Sequence, residues 1–215
     1  MPPSLRREEQ AWAERRLLVG VDEAGRGPLA GPVVAAAVAF PAGFRRIRGV
    51  RDSKVLTREN RERLAGLIRA RAIGVGIGAA SNREIDRRNI RVASALAMRR
   101  AVRRLFEGPA RCEFGSLCDA SWLVIDGLPL PEIGYPHDAV VDADACCYTV
   151  AAASIIAKTV RDRIMHLLAP RHPDYRWETN VGYSTPDHLN GIARVGITRH
   201  HRVSFGPVAQ PGLWS

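Results

Sequence analysis

The stretch that decides the fold lies at residues 17–34 and reads LLVGVDEAGRGPLAGPVV. An apolar run, Leu17–Val21, stops at two adjacent acids, Asp22 and Glu23. A segment rich in glycine and proline follows, and a second apolar run, Val33–Phe40, begins after it. Two apolar runs joined by such a turn predict a β-hairpin whose first strand ends at the acids.

Beyond the hairpin, the pattern predicts strands that alternate with helices. Further strands are expected at Ile73–Ile77, at Trp122–Ile125 ending in Asp126, and at Val140–Val141 ending near Asp144. Helices are expected after Thr57, from the Ser81–Glu84 capping box to about Phe106, over Val150–Leu168, and after Thr185-Pro186. Segment 107–121 is expected to be a loop. This order predicts an α/β fold with a mixed sheet flanked by helices.

The charge of the chain indicates a polyanionic partner. Its 215 residues include 32 Lys and Arg against 22 Asp and Glu, a formal net charge of +10. Such a field attracts nucleic acid, although a composition rich in arginine and alanine can also reflect the base composition of a genome.

Several classes of protein are disfavoured by the sequence. Four cysteines lack the spacing of a zinc site and are expected to be reduced thiols: Cys112, Cys118, Cys146 and Cys147. The first sixteen residues are charged throughout, unlike a signal peptide, and the longest apolar stretches are too short to span a bilayer. We therefore expect a cytoplasmic protein with no membrane partner.

Acidic residues fall at the ends of the predicted strands. Asp22, Glu23, Asp126 and Asp144 each follow an apolar run, and strand ends at one sheet edge are where ligands bind in α/β folds. Carboxylates gathered there would repel one another without a cation, and oxygen ligands suit Mg²⁺ or Mn²⁺. Any single acid among them is more often a solvated loop residue or a helix cap.

Asp22 and Glu23 raise a geometric question, because neighbours on an ideal strand face opposite sides of the sheet. Both can serve one site only if the strand breaks close to them, and Gly25 is a suitable place for such a break.

A series of motifs follows in order along residues 17–208: Val21–Val34, Asp52-Ser53-Lys54, Glu84-Ile85-Asp86 with Asn89-Ile90, Ile125-Asp126-Gly127, Ala152–Lys158 with Arg161-Asp162, Gly182-Tyr183 with Thr185 and His188, and His201-Arg202 with Ser204–Val208. In this order the motifs resemble those of the ribonuclease HII family. A single glycine-rich loop would be weak support, whereas an ordered series is specific.

The resemblance implies a fold and an activity. It implies a ribonuclease H-like mixed sheet with a C-terminal helical segment that contacts substrate. Residues 1–16 would be an N-terminal extension and residues 17–215 a single catalytic domain, and the protein is expected to be a monomer. The expected activity is hydrolysis of the RNA strand of RNA–DNA hybrids, and cleavage on the 5′ side of ribonucleotides embedded in duplex DNA. Two metal ions would assist, leaving a 3′-hydroxyl and a 5′-phosphate.

The same resemblance implies roles for individual residues. Asp22, Glu23, Asp126 and Asp144 match the four catalytic, metal-holding carboxylates of the family. Gly25, Arg26 and Gly27 match the loop whose backbone reads the 2′-hydroxyl, the group that distinguishes RNA from DNA. Tyr183 matches a tyrosine that packs against the neighbouring sugar. Lys54 and Lys158 are candidates for phosphate contacts or for surface charges, and His188, His200 and His201 are expected to be structural.

Two positions depart from the family pattern. Asp142-Ala143-Asp144 stands where Lys-Gly-Asp is usual, so Asp142 competes with Asp144 for the role of ligand; if both lay on a strand they would face the same side. The ten-residue spacing from Asp144 to Ser154 favours Asp144. Val181 replaces a basic residue before Gly182, which removes a possible phosphate contact.

Other classes of protein explain less of the sequence. A ribonuclease HIII would share the core but normally has an additional N-terminal domain. A resolvase-like or integrase-like nuclease would not need the Gly-Arg-Gly and Gly-Tyr elements. A non-catalytic nucleic-acid-binding protein would explain the charge but not the acids, and the Gly-rich loop lacks the lysine of a phosphate-binding P-loop.

Overall fold

The computed structural model describes residues 3–108 and 121–209, and its centre is a mixed sheet of five strands. The strands are β1 (Leu17–Ala24), β2 (Val33–Ala39), β3 (Gly74–Ala80), β4 (Ser121–Asp126) and β5 (Asp138–Val140), in the order β3-β2-β1-β4-β5. β2 is antiparallel to both β1 and β3, whereas β4 is parallel to β1 and to β5. The C-terminal ends of β1, β3, β4 and β5 therefore lie at the same edge of the sheet.

Helices cover both faces of this sheet. They are α1 (Arg6–Ala13), α2 (Arg58–Arg71), α3 (Asn82–Glu107), α4 (Ala143–Cys146), α5 (Tyr148–Leu168), α6 (Trp177–Asn180), α7 (Pro186–Val195) and α8 (Gly206–Ala209). Short 3-10 helices lie at Ser53–Val55, Pro131–Ile133, Ala169–Arg171 and Pro173–Tyr175. The predicted α/β class, with a mixed sheet flanked by helices and a helical C-terminal segment, is confirmed.

The alternation of β1 assigns its side chains to two cores. Leu17, Val19 and Val21 pack with α3 on one face. On the other face, α5 approaches so closely that a Cβ on Gly20 would lie 2.5 Å from the carbonyl carbon of Thr149. Glycine at this position lets the backbone of α5 pack directly on the strand, which brings side chains of α5 to the edge where the acids lie.

The long helix α3 begins as predicted at a capping box, in which the Ser81 hydroxyl accepts from Glu84 N and the Glu84 carboxylate accepts from Ser81 N. It bends at Asn89, whose φ of 64° is outside the helical range. The Asn89 side chain accepts a hydrogen bond from Val92 N, so it caps the second part of the helix. The expected loop at 107–121 falls almost entirely outside the described residues, as do Cys112 and Cys118.

The segment before β1 forms α1, which packs on the sheet and the start of α5. Glu8 is buried, and its carboxylate accepts from the backbone N–H of Thr149 at 2.7 Å. Ala11 lies in a small core with Leu18 and Val124. The division into an extension and a catalytic domain at residue 17 stays a prediction. Within the described residues, no helix has the length and apolar character needed to cross a bilayer.

Candidate active site

The two adjacent acids lie at the end of β1, at the edge of the sheet. The strand does not break between them: it runs through Asp22 and Glu23 to Ala24, and the break falls at Gly25, where φ is +96°. The Asp22 carboxylate accepts from the backbone N–H of Glu23 at 2.7 Å and interacts with the Ser154 hydroxyl of α5. Glu23 forms an ion pair with Arg26 at 3.2 Å.

The other two acids meet at the start of α4. Asp126 ends the neighbouring strand β4, and its carboxylate accepts from the backbone N–H of Ala143 at 2.6 Å. Asp144 lies in the first turn of α4 and is buried, with 7% of its surface exposed. One hydrogen bond thus ties the end of β4 to the helix that carries Asp144.

The idea that Asp142 and Asp144 share one face of a strand is wrong. β5 ends at Val140, and Asp142 is an exposed residue in the left-handed conformation, with φ of 54°, immediately before α4. The chain turns sharply at this residue and continues as a helix. Of the two acids, Asp144 is the buried one, which agrees with the choice made from its spacing to Ser154.

The charge of Asp126 acts on each of the other three acids. Burial raises the pKa of Asp22 well above its ordinary value, and the charges of Glu23 and Asp126 add to the increase. The pKa of Glu23 is also raised by burial, although Arg26 opposes this effect. Burial, Asp126 and Asp52 raise the pKa of Asp144. Negative charge at this edge is therefore under-compensated by the protein's own cations.

A divalent cation fits the chemistry of this cluster. Its donors are all carboxylate oxygens, the ligands preferred by Mg²⁺ and Mn²⁺, and a cation would offset the burial and the repulsion that raise the pKa of Asp22 and Asp144. Within residues 3–108 and 121–209, however, no three acidic, histidine or cysteine side chains are placed so that they could hold one ion.

The loop after β1 is held by a buried arginine from the C-terminal segment. Arg202 is fully buried, and its guanidinium donates to the carbonyl oxygens of Gly25 at 2.6 Å, Arg26 at 2.8 Å and Gly31 at 2.9 Å. Burial and the nearby Arg161 lower the pKa of Arg202 to about 9. This side chain fixes the path of the Gly25-Arg26-Gly27 backbone.

A second buried arginine, Arg161 of α5, supports the same loop from the other side. It donates to the carbonyl oxygens of Ala30 and Pro32 at 3.2 and 3.3 Å. A Cβ on Gly25 would lie 2.1 Å from Arg161 Nε. Gly25 therefore has two reasons to be glycine, its positive φ and this contact.

Tyr183 lies beside the loop. It is 42% exposed, and a Cβ on Gly27 would lie 3.8 Å from its ring. The backbone joins the two elements, because Leu29 N donates to the carbonyl oxygen of Gly182 at 2.8 Å. An exposed ring at this place differs from a core tyrosine, which is the usual role of this residue type.

The two lysines have different surroundings. Lys158 Nζ lies 5.6 Å from the centre of the Tyr183 ring and forms an ion pair with Asp162 at 2.8 Å. Lys54 is exposed and lies near the acids: burial opposes its charge, but Asp52 and Asp144 outweigh burial and raise its pKa. Among the residues that the structure describes, Lys54 forms no ion pair, whereas Lys158 is paired with Asp162.

Other supporting residues were not assigned a role from the sequence. Ser53 and Ser154 are buried, and their hydroxyls lie 2.9 Å apart, so Ser53 supports the hydroxyl that contacts Asp22. Arg161 and Arg202 act on backbone carbonyls, and such partners leave no pattern in a sequence. In the sequence, Arg161 and Arg202 stood out only because they lie within motifs that resemble those of the family.

The histidines form a buried network with Trp177, as expected of structural residues. His188 Nδ1 lies 2.8 Å from the carbonyl oxygen of Tyr183, and its Nε2 accepts from Trp177 Nε1 at 3.2 Å. His201 Nε2 lies 3.1 Å from His188 Nε2. This network connects Tyr183 to the C-terminal segment. Val181, which precedes Gly182, is buried and has a left-handed backbone conformation, with φ of 43°.

Comparison with known proteins agrees with this geometry. The profile of the family described as Ribonuclease HII matches residues 19–208. A ribonuclease HII of Desulfitobacterium hafniense is 44% identical over 207 residues, covering 96% of this chain and 75% of the relative. Most of the chain and of its relative therefore align.

Solved structures have a similar fold. The ribonuclease H2 of Pyrococcus horikoshii is 26% identical with a TM-score of 0.72, covering 90% of this chain and 96% of that one. The structure of Bst-RNase HIII in complex with Mn²⁺ has a TM-score of 0.67 at 21% identity, covering 91% of this chain but 68% of that one. At 21% identity, the likeness to Bst-RNase HIII concerns the fold alone. With the family profile and the relatives, these findings show that the chain belongs to the ribonuclease HII family, endoribonucleases that act on the RNA strand of RNA–DNA hybrids.

Proposed function

We propose that this enzyme also cuts duplex DNA on the 5′ side of an embedded ribonucleotide, with Asp22, Glu23, Asp126 and Asp144 as its catalytic residues. The observation that carries the proposal is that these carboxylates lie at one edge of the sheet, where burial, with the neighbouring negative charges, raises the pKa of Asp22, Glu23 and Asp144. Buried acids that destabilise one another indicate a site built for a positively charged ligand.

The four carboxylates would hold Mg²⁺ or Mn²⁺. The Mn²⁺ complex of the ribonuclease HIII neighbour, which shares the fold, supports an ion of this class. When bound, a pair of such ions supplies an activated water and stabilises the leaving 3′ oxygen, which gives a 3′-hydroxyl and a 5′-phosphate. Before ions bind, Ser154 and the backbone N–H of Ala143 hold Asp22 and Asp126 in place.

The Gly25-Arg26-Gly27 loop would recognise the ribonucleotide. Arg202 occupies the carbonyl groups of Gly25 and Arg26, so the loop backbone is rigid before substrate arrives. Gly27 has no side chain between its backbone and Tyr183, which leaves room for a sugar against the exposed ring. A 2′-hydroxyl placed there distinguishes RNA from DNA.

Lys54 and Lys158 would contact phosphates of the substrate. Lys54 is the stronger candidate because it is exposed and stands near the acidic cluster. Lys158 already forms an ion pair with Asp162, which would compete with a phosphate for its ammonium group. We further propose that the enzyme acts as a monomer in the cytoplasm and that residues 17–215 form the catalytic domain.

A labelled DNA duplex with one ribonucleotide tests this proposal, beside an all-DNA duplex, with Mg²⁺, Mn²⁺ or EDTA. We expect metal-dependent cleavage only on the 5′ side of the ribonucleotide. Asp22→Asn should abolish cleavage and weaken Mn²⁺ binding measured by calorimetry. Asp174→Asn, which alters an exposed ion pair with Arg194, should leave both unchanged. Tight binding of the duplex without cleavage under every metal condition would contradict the proposal.

A further inference from the structure

A basic cavity lies between α2 and the loop that precedes Lys54. It has a volume of about 650 Å³, and its lining includes Arg48 and Arg51 from the loop and Arg63 from α2. Leu56 and Leu64 contribute apolar surface to the lining, and Asn60 adds an amide. None of the residues that line the cavity carries a carboxylate. Three arginines therefore line a space that is large enough for a charged ligand.

These arginines have no anionic partner in the described part of the chain. Other exposed arginines pair with carboxylates, as Arg58 does with Glu62 at 2.9 Å and Arg194 with Asp174 at 2.6 Å. Glu59 lies one helical turn before Arg63, yet among the described residues the two form no ion pair. The guanidinium groups of the cavity remain available to a ligand.

The position of the cavity relates it to the catalytic edge. Arg51 leads directly into Asp52-Ser53-Lys54, and the Ser53 hydroxyl lies 2.9 Å from that of Ser154, which contacts Asp22. At the other side, Arg61 of α2 forms an ion pair with Asp162 of α5 at 2.9 Å. The loop and α2 are thus both fixed to α5, the helix that also carries Ser154.

We propose that Arg48, Arg51 and Arg63 form a secondary phosphate site that binds the backbone of the substrate duplex away from the scissile bond. Guanidinium groups match phosphate oxygens in a bidentate manner, and several of them in one cavity suit consecutive phosphates of a strand. The site rests on the proposed function, because its ligand is the flank of the duplex that the carboxylates cut. It makes affinity depend on the length of the duplex.

Binding of two duplexes in EDTA tests the proposal. Both carry one ribonucleotide; the short one extends about 4 base pairs to each side of it and the long one about 15, at 3.4 Å per base pair. The variant Arg48→Gln/Arg51→Gln/Arg63→Gln should lose about tenfold or more in affinity for the long duplex and little for the short one. Its plot of log affinity against log salt should become shallower by about 2, since each neutralised phosphate contributes about 0.9.

A charge-matched control separates this effect from the overall field of the protein. Arg15→Gln/Arg99→Gln/Arg103→Gln removes the same three charges. Arg15 precedes the start of β1, and Arg99 and Arg103 lie in the second half of α3; none of the three lines the cavity. This variant should bind the long duplex almost as well as the unmodified enzyme.

The results distinguish the alternatives. Equal losses for short and long duplexes, or equal losses in the two triple variants, would overturn the proposal. So would unchanged duplex binding combined with displacement of a labelled nucleotide by pyrophosphate, which would indicate a site for free nucleotides. Should the triple variant fail to fold, Arg63→Gln alone, in the exposed middle of α2, gives the same comparison. Failure of metal-dependent cleavage in the unmodified enzyme would instead contradict the proposed function.

Discussion

The guanidinium of Arg202 donates a 2.6 Å hydrogen bond to the carbonyl oxygen of Gly25, although the two residues are 177 positions apart in the chain. This contact fastens the C-terminal segment to the loop that follows the catalytic strand. Because Arg202 is fully buried and its partners are carbonyl groups, the charge is held by dipoles rather than by a carboxylate.

We predict that Arg202→Lys damages both stability and discrimination between RNA and DNA. Lysine retains the charge but cannot reach three carbonyl groups in a fork, so buried acceptors lose their donors at a cost of about 1–3 kcal/mol. Urea unfolding should show this loss, and KM for a ribonucleotide-containing duplex should rise. Arg199→Lys, at an exposed position in the same segment, is the control. Equal behaviour of the two variants would contradict a role for the Arg202 contact.

A second prediction concerns Gly25 and uses Gly127 as its matched control. Both glycines have φ of +96°, but a Cβ on Gly25 would lie 2.1 Å from Arg161 Nε, whereas a Cβ on Gly127 would meet nothing within 4 Å. Gly127→Ala should therefore lower the free energy of unfolding only by the strain of a side chain at positive φ, about 1 kcal/mol. Gly25→Ala should cost an additional 1–3 kcal/mol or so from overpacking. Chemical denaturation of both variants measures the difference, and equal costs would show that Arg161 moves aside freely.

The strands and most helices were predictable because their apolar periodicity matched the cores that they form. β1 and β2 were located by their apolar runs, and α3 by its capping box. The proximity of Asp22, Asp126 and Asp144 was predictable because the strands that they follow end at the same edge of the sheet. The α4 turn was not predictable, because a non-glycine residue, Asp142, adopts a left-handed conformation there.

Tertiary contacts to the backbone were hidden for a different reason. Arg202 and Arg161 bind carbonyl groups, which every residue carries, so no residue type in the sequence marks their partners. Glu8 was similarly hidden: it caps Thr149 N, at the start of α5, from a helix whose charged sequence suggested no buried residue. Bonds of this kind become visible only when the chain is folded.

The Ser154 hydroxyl is predicted to position Asp22. It contacts this carboxylate and lies 2.9 Å from the Ser53 hydroxyl. Ser154→Ala should lower kcat by about tenfold and weaken Mn²⁺ binding, because Asp22 loses the polar interaction that favours its charged form. Ser94→Ala is the control: Ser94 is equally buried, but its hydroxyl has no partner among the described residues. Unchanged Mn²⁺ affinity in Ser154→Ala would remove Ser154 from the site.

The final prediction is that acid weakens the C-terminal segment through His188 and His201. Burial lowers the pKa of both rings, and His201, which also lies beside His188, falls to about 4. The hydrogen bonds explain why the rings are neutral. His188 Nδ1–H donates to Tyr183 O, which leaves Nε2 to accept from Trp177 and from His201 Nε2–H. A proton on His188 Nε2 would point at two other donors, Trp177 Nε1 and His201 Nε2, and both hydrogen bonds would be lost.

The sign of the effect follows from these pKa values. In the unfolded chain a histidine titrates near its usual value of about 6.5, so below that pH the unfolded state binds more protons than the folded state. The contribution of the neutral rings to the free energy of unfolding is therefore fully present above about pH 6.5. It decreases as the pH falls toward 4, by up to about 1.4 kcal/mol per pH unit for each ring. Urea unfolding at several pH values measures this slope. His201→Asn should flatten it, whereas His137→Asn, outside the network, should not. A slope that is the same in all three proteins would show that other groups govern the response to acid.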